Sequence, residues 1–131
     1  MTILLADDDR ALVLLLSKHL MKKGFDVVGA YDAMQASITA MRAPVATVIL
    51  DISMPAGTWY EVLKRMRANL KTSLIPIIVL SGSIRPEDEV KVRELGADTV
   101  LSKPVNFEEL DNTLFRLLGE AEDYPQRKQA I

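Results

Sequence analysis

Five short apolar runs, TILLA at 2–6, FDVVGA at 25–30, ATVIL at 46–50, IPIIVL at 75–80 and TVL at 99–101, recur along the chain with longer helical patterns between them. Runs this short, rich in β-branched residues and apolar at nearly every position, suit strands buried on both faces. Strands of that kind lie in a parallel sheet, where each return to the same end needs a crossover long enough to hold a helix. The intervening stretches carry helix punctuation. Asp32 stands where it can cap the second helix, Thr58 with Glu61 and Asn106 with Glu109 have capping-box spacing, Pro86 is near the start of the fourth helix, and Gly24 and Gly96 suit helix exits. Five β/α units result, and they predict an α/β fold: a doubly wound, five-stranded parallel sheet with helices on both faces.

The chain is long enough for one buried domain and too short for two, with 131 residues, 49% of them hydrophobic and 26% charged. The expected division is a domain over 1–120 and a flexible polar tail over 121–131, which includes Pro125. Without cysteine there is no disulfide framework or thiolate zinc site, and a single histidine cannot build a histidine-rich metal centre. The start, MTILLADDD, meets acid after a few apolar residues and has no basic stretch before them, so it reads as neither a secretory signal nor a membrane span. A cytoplasmic protein is expected. A net charge of −2 supplies no basic footprint, so nucleic acid is not an expected partner.

In an open doubly wound sheet, ligands sit beyond the carboxyl ends of the strands, where strand order reverses. For the order 2-1-3-4-5, flavodoxin-like in its winding, that point lies between the first and third strands. Asp7 and Asp8 end the first strand and Asp51 the third, so three acids converge there. A hard divalent cation that accepts carboxylate oxygens, Mg²⁺ above all, answers their repulsion together with one lysine. Lys103 follows the fifth strand in VLSKPV, and Ser81 ends the fourth in VLSG. An aspartate nucleophile, a metal, a cation and a hydroxyl donor suit phosphoryl transfer to a carboxylate, with Asp51 the best nucleophile because it ends the central strand. Singly, each group has a plainer explanation as a helix start, a turn or a surface bend. Their coincidence at one sheet edge carries the reading.

From Ile3 to about Leu118 the sequence resembles the receiver domains of two-component response regulators, through LLADDD, LDISMP, VLSG and SKP in order at the ends of alternating strands. The resemblance implies that Asp7 and Asp8 hold Mg²⁺ and that Asp51 is phosphorylated from a phosphohistidine on a sensor histidine kinase or phosphotransfer protein. It also implies that the Ser53 backbone carbonyl completes the metal site, that Ser81 and Lys103 contact the phosphoryl group, and that Pro104 follows the lysine in a cis peptide. Asp9 is left to begin or cap the first helix. The protein is then a signalling phosphoacceptor that assists its own phosphorylation and dephosphorylation rather than a conventional enzyme. The surface of the fourth helix, fifth strand and fifth helix would meet a target, and a homodimer stays open.

Two positions depart from the family. Val100 stands where an aromatic switch residue is usual, and Trp59 where glycine is common, with Gly57 left to supply the turn. Either Trp59 and Tyr60 stand exposed as a partner contact, or Trp59 packs over the third helix. On the first helix, Leu14, Lys18 and Met21 share one face suited to docking the partner's helices, and His19 is a surface or boundary residue. On the last, Phe107, Leu110, Leu114, Leu117 and Leu118 form a core face. The tail is too short for an output domain, so a stand-alone receiver is expected. A pseudo-receiver that binds proteins without phosphate is the alternative. A flavodoxin-like electron carrier is disfavoured because ADDDR would repel a flavin phosphate, and a truncated transcription factor would show itself in a longer natural gene.

Overall fold

The computed structural model describes residues 1–52, 58–83 and 85–118. The elements alternate as β1 (Thr2–Ala6), α1 (Arg10–Lys22), β2 (Asp26–Ala30), α2 (Ala33–Arg42), β3 (Thr47–Asp51), α3 (Thr58–Ala68), β4 (Ile77–Ser81), α4 (Pro86–Glu94), β5 (Thr99–Ser102) and α5 (Phe107–Leu118). The strands form one parallel sheet in the order β2-β1-β3-β4-β5. The predicted winding is the observed one.

Strand pleating sorts the core into two layers. Leu4, Ala6, Val48, Leu50, Ile77 and Val79 pack with residues of α2, α3 and α4, including Ala36, Leu63 and Val92. Their neighbours Ile3, Leu5, Ile49, Ile78 and Leu80 pack on the other face with Leu16 and Leu20 of α1 and Leu110 and Leu114 of α5. Strand bounds shift slightly from the sequence expectation, for local reasons. The Phe25 N–H donates to the Leu20 carbonyl (3.1 Å) and so belongs to the close of α1. Pro76 has no N–H for a ladder, so β4 starts at Ile77. Both β3 and β4 run one residue further than expected and carry Asp51 and Ser81 inside the sheet.

The helix ends follow the sequence signals. Asp9 caps α1 by accepting from the Leu12 N–H (3.1 Å), Asp32 caps α2 through the Gln35 N–H (2.8 Å), and Asn106 caps α5 through the Glu109 N–H (2.9 Å). Pro86 opens α4, and Gly24 and Gly96 take positive φ of 95° and 113° at the exits of α1 and α4. The Thr58 side chain, Ser53, Gly57 and the tail 121–131 lie outside the described residues. Phe107, Leu117 and Leu118 join Leu110 and Leu114 against the core, as the periodicity of α5 predicts. His19 is half-buried between α1 and α5, with Nε2 2.8 Å from the Asp111 carboxylate and its ring stacked on Phe107 at 4.2 Å.

One device at the amino end of the sheet was not visible in the sequence. The Arg67 guanidinium, from α3, donates to the carbonyls of Gly96 (2.7 Å), Ile75 (2.7 Å) and Ser73 (3.0 Å) and to Asp98 Oδ2 (3.1 Å). It ties the lead-ins of β4 and β5 to α3. A Cβ on Gly96 would lie 2.6 Å from Arg67 Cγ at a φ that L side chains rarely adopt. Gly96→Ala is therefore expected to destabilise the fold by about 2 kcal/mol. In urea unfolding of the single and double variants, part of that loss should vanish in an Arg67→Ala background, because the two residues share one contact.

Candidate functional site

Strand order reverses between β1 and β3, and three carboxylates meet at that point. Asp7 follows β1, where its N–H donates to the Ala30 carbonyl (3.0 Å) and its Oδ1 accepts from the Asp9 N–H (2.9 Å). Asp51 ends β3 with no exposed surface, whereas Asp8 faces solvent. Asp7, Asp8 and Asp51 each offer a carboxylate oxygen, and these oxygens lie within 4.8 Å of one another. Lys103 reaches in from the end of β5, its Nζ 3.1 Å from Asp7 Oδ2 and 3.3 Å from Asp51 Oδ1. The Lys103 N–H donates to the Ser81 carbonyl (2.8 Å), which anchors the lysine backbone to the end of β4, and the Lys103–Pro104 peptide is cis. Ser81 is buried at the same edge, its hydroxyl oxygen accepting from the Ser83 N–H (3.3 Å).

Burial is the largest influence on the Asp7 carboxyl and lifts it from 3.8 to about 6; the Asp9 N–H and Lys103 pull it down, and neighbouring Asp51 pushes it up. Burial also works against the Lys103 ammonium, but Asp7 and Asp51 outweigh it and hold the group above its ordinary value. The raised Asp7 value fixes the sign of a pH effect. Between 3.8 and about 6 the folded state binds more protons than the unfolded one, so stability is greatest below that window and is lost as pH rises through it. With metal chelated, Asp7→Asn is expected to flatten this dependence and raise neutral-pH stability by roughly 1–3 kcal/mol. Denaturant unfolding at pH 4 and pH 7.5 checks both.

The donor set also fits a cation. It consists of hard carboxylate oxygens without imidazole or thiolate, two of them buried to fix position and one open to solvent. Such a set suits Mg²⁺, which binds through a few carboxylates and keeps waters.

A family model, the response regulator receiver domain, matches residues 3–115. The chain belongs to that family. Among relatives, the response regulator GtcR of Aneurinibacillus migulanus is 37% identical over 105 residues, covering 80% of this chain and 42% of that protein. The transcriptional regulatory protein TctD of Salmonella typhimurium is 37% identical over 118 residues, covering 90% and 52%. The chain thus spans about half the length of the curated relatives it matches. Among solved structures, the Vibrio cholerae chemotaxis response regulator CheY4 superposes with a TM-score of 0.82 at 31% identity, covering 88% of this chain and 97% of that one. The receiver domain of a Pseudomonas aeruginosa sensor histidine kinase, with a magnesium ion coordinated in its active-site cleft, superposes with a TM-score of 0.82 at 26% identity, covering 91% and 98%.

Within this receiver, the residues singled out from sequence fall into two groups. Asp7, Asp8, Asp51 and Lys103 come together, and Ser81 shares their edge. Ser53 lies outside the described residues. Trp59 is half-buried against the α2–α4 layer, and Tyr60 meets Trp59 edge-on at 5.5 Å with Lys91 over its ring at 4.8 Å. Packing therefore decides the choice left open for Trp59. Val100 packs on the same layer. Sequence reading passed over Arg10 and Tyr31, whose side chains stack on one another, because the pairing of β1 with β2 is what brings them together. The only signal was a cation directly after three acids.

Proposed function

We propose that this receiver accepts a phosphoryl group on Asp51 from a partner phosphohistidine in a Mg²⁺-dependent reaction, and signals by conformational change or onward transfer. The observation that carries the reading is the convergence of the Asp7, Asp8 and Asp51 carboxylates within 4.8 Å, with Lys103 bridging two of them. An Asp51 carboxylate oxygen attacks phosphorus, the P–N bond of the donor breaks, and the imidazole leaves with a proton from solvent. Lys103, which pairs with Asp51, lies where it can follow the charge to the transferred oxygens, and Ser81 offers a hydroxyl donor from the next strand. Asp7, Asp8, Asp51 and the Ser53 carbonyl would hold Mg²⁺. The bound ion would neutralise phosphoryl oxygens as charge gathers on them.

The partner is a sensor histidine kinase or a histidine phosphotransfer protein. Leu14 and Met21, 57% and 61% exposed on α1, offer with Lys18 an unburied face for it. The face of α4, β5 and α5 is the proposed contact for a target or a second copy. With Val100 in place of an aromatic, the switch would run through the loop after Ser81 rather than through a ring. Residues 1–120 are proposed as the working domain and 121–131 as a tail, acting as a stand-alone protein in the cytoplasm. Among the described residues no helix is long and apolar enough to cross a membrane. The shorter span relative to the curated relatives favours a second reading, in which the receiver is one part of a longer regulator. The natural gene sequence beyond Ile131 separates the two.

Intact mass after incubation with acetyl phosphate tests the reading. A single phosphoryl adduct that forms with Mg²⁺ and not with chelator supports it. A folded protein with no adduct favours the phosphate-independent binding module.

A further inference from the structure

Next in the chain to the residues bonded to Asp7 lies a stacked cation–ring pair that the metal site does not use. Arg10, the first residue of α1, stacks its guanidinium over the Tyr31 ring at 3.9 Å from the centroid. Tyr31 is held in turn. It lies over the β2 backbone, where a Cβ on Gly29 would come within 3.1 Å of its hydroxyl and 3.3 Å of Val13 Cγ1, and it packs on the α1–α5 layer. Both partners neighbour groups bonded to Asp7: Arg10 follows Asp9, whose N–H reaches Asp7 Oδ1, and Tyr31 follows Ala30, whose carbonyl accepts the Asp7 N–H. An exposed cation, held on a ring at the end of β2, thus follows the acids directly in the chain. Arg10 directly follows Asp7, Asp8 and the capping Asp9, so the local charge of those acids favours a cation at this helix end.

We propose that Arg10, held on Tyr31, recognises the anionic phosphodonor: it attracts the phosphoryl oxygens of an incoming acyl phosphate or phosphoimidazole toward Asp51. This rests on the phosphoacceptor reading. The approach is otherwise toward a cluster with more acids than cations. Such a cation has opposite effects on the two ligands of the site, favouring the anionic donor and opposing the metal cation. A residue that merely supported the fold of the site would help both.

That opposition is the test. Arg10→Gln, Arg10→Lys and Tyr31→Leu are compared with the unaltered chain in two measurements. These are the rate of adduct formation with acetyl phosphate at low and high salt, and Mg²⁺ affinity by calorimetry. Arg10→Gln is expected to slow adduct formation roughly two- to five-fold at low salt, with the difference closing at high salt, while Mg²⁺ affinity rises by about two-fold. Arg10→Lys should keep most of the rate, and Tyr31→Leu should fall between. An unchanged rate, a loss insensitive to salt, or a joint fall in rate and Mg²⁺ affinity would each overturn the proposal. If the unaltered chain takes up no phosphoryl group, the phosphoacceptor reading fails and the proposal falls with it, whereas uptake with an unchanged Arg10→Gln rate overturns the proposal alone. A chain that takes neither ligand overturns both.

Discussion

Asp51→Asn is expected to abolish phosphoryl incorporation and leave a folded protein. Asp51 ends the central strand with no exposed surface, where β1 and β4 on either side prevent it from drifting and Lys103 Nζ stands 3.3 Å from Oδ1. Asparagine has the same shape, so packing around it is preserved. Its amide, however, is a poor nucleophile, carries no charge to pair with Lys103, and presents one oxygen where the carboxylate presented two. Asp7 and Asp8 remain in the variant, so residual adduct would mean that one of them can accept the group. Circular dichroism and urea unfolding show whether the variant is folded. Intact mass shows whether it is modified.

Lys103→Ala is expected to slow adduct formation about a hundred-fold, the usual scale for removing a preorganised charge from a site of this kind. Among the described residues, Lys103 is the only lysine or arginine that makes an ion pair with Asp7 or Asp51. Its loss leaves two buried carboxylates without that counter-charge, and the Asp7 carboxyl, already lifted to about 6, rises further. The metal-free protein should therefore lose stability at neutral pH. Mg²⁺ affinity should hold or tighten, because a competing cation has left the carboxylates. A slow rate with intact metal binding is the signature of a charge that acts on the transferred group. A proportional loss of both would mean that Lys103 only shapes the site.

Much of this was legible in the chain because it depends on local pattern and topology. Short apolar runs between helical stretches fix a parallel sheet, and a sheet wound in that order brings Asp7, Asp8 and Asp51 to one point however far apart they lie in sequence. Asp9, Asp32 and Asn106 cap helices because their side chains serve backbone N–H groups three residues away, which sequence spacing records directly. Arg67 could not be read in this way. Its partners Gly96, Ile75 and Ser73 are backbone carbonyls, which leave no mark on side-chain pattern. The stacking of Arg10 on Tyr31 was equally hidden, since it needs the register of β1 on β2 and the missing Cβ of Gly29. Trp59 could have faced outward or inward at its position on α3, and the fit against the α2–α4 layer decided it.

Mapping the modified residue tests the phosphoacceptor reading most directly. The protein would be treated with acetyl phosphate, with Mg²⁺ or with chelator, and reduced with borohydride, which converts an aspartyl phosphate to homoserine. Peptide mass spectrometry then locates the change. Homoserine at position 51 alone, and only in the Mg²⁺ sample, is the predicted result. Modification at Asp7 or Asp8, equal modification in chelator, or none in a folded sample would contradict it.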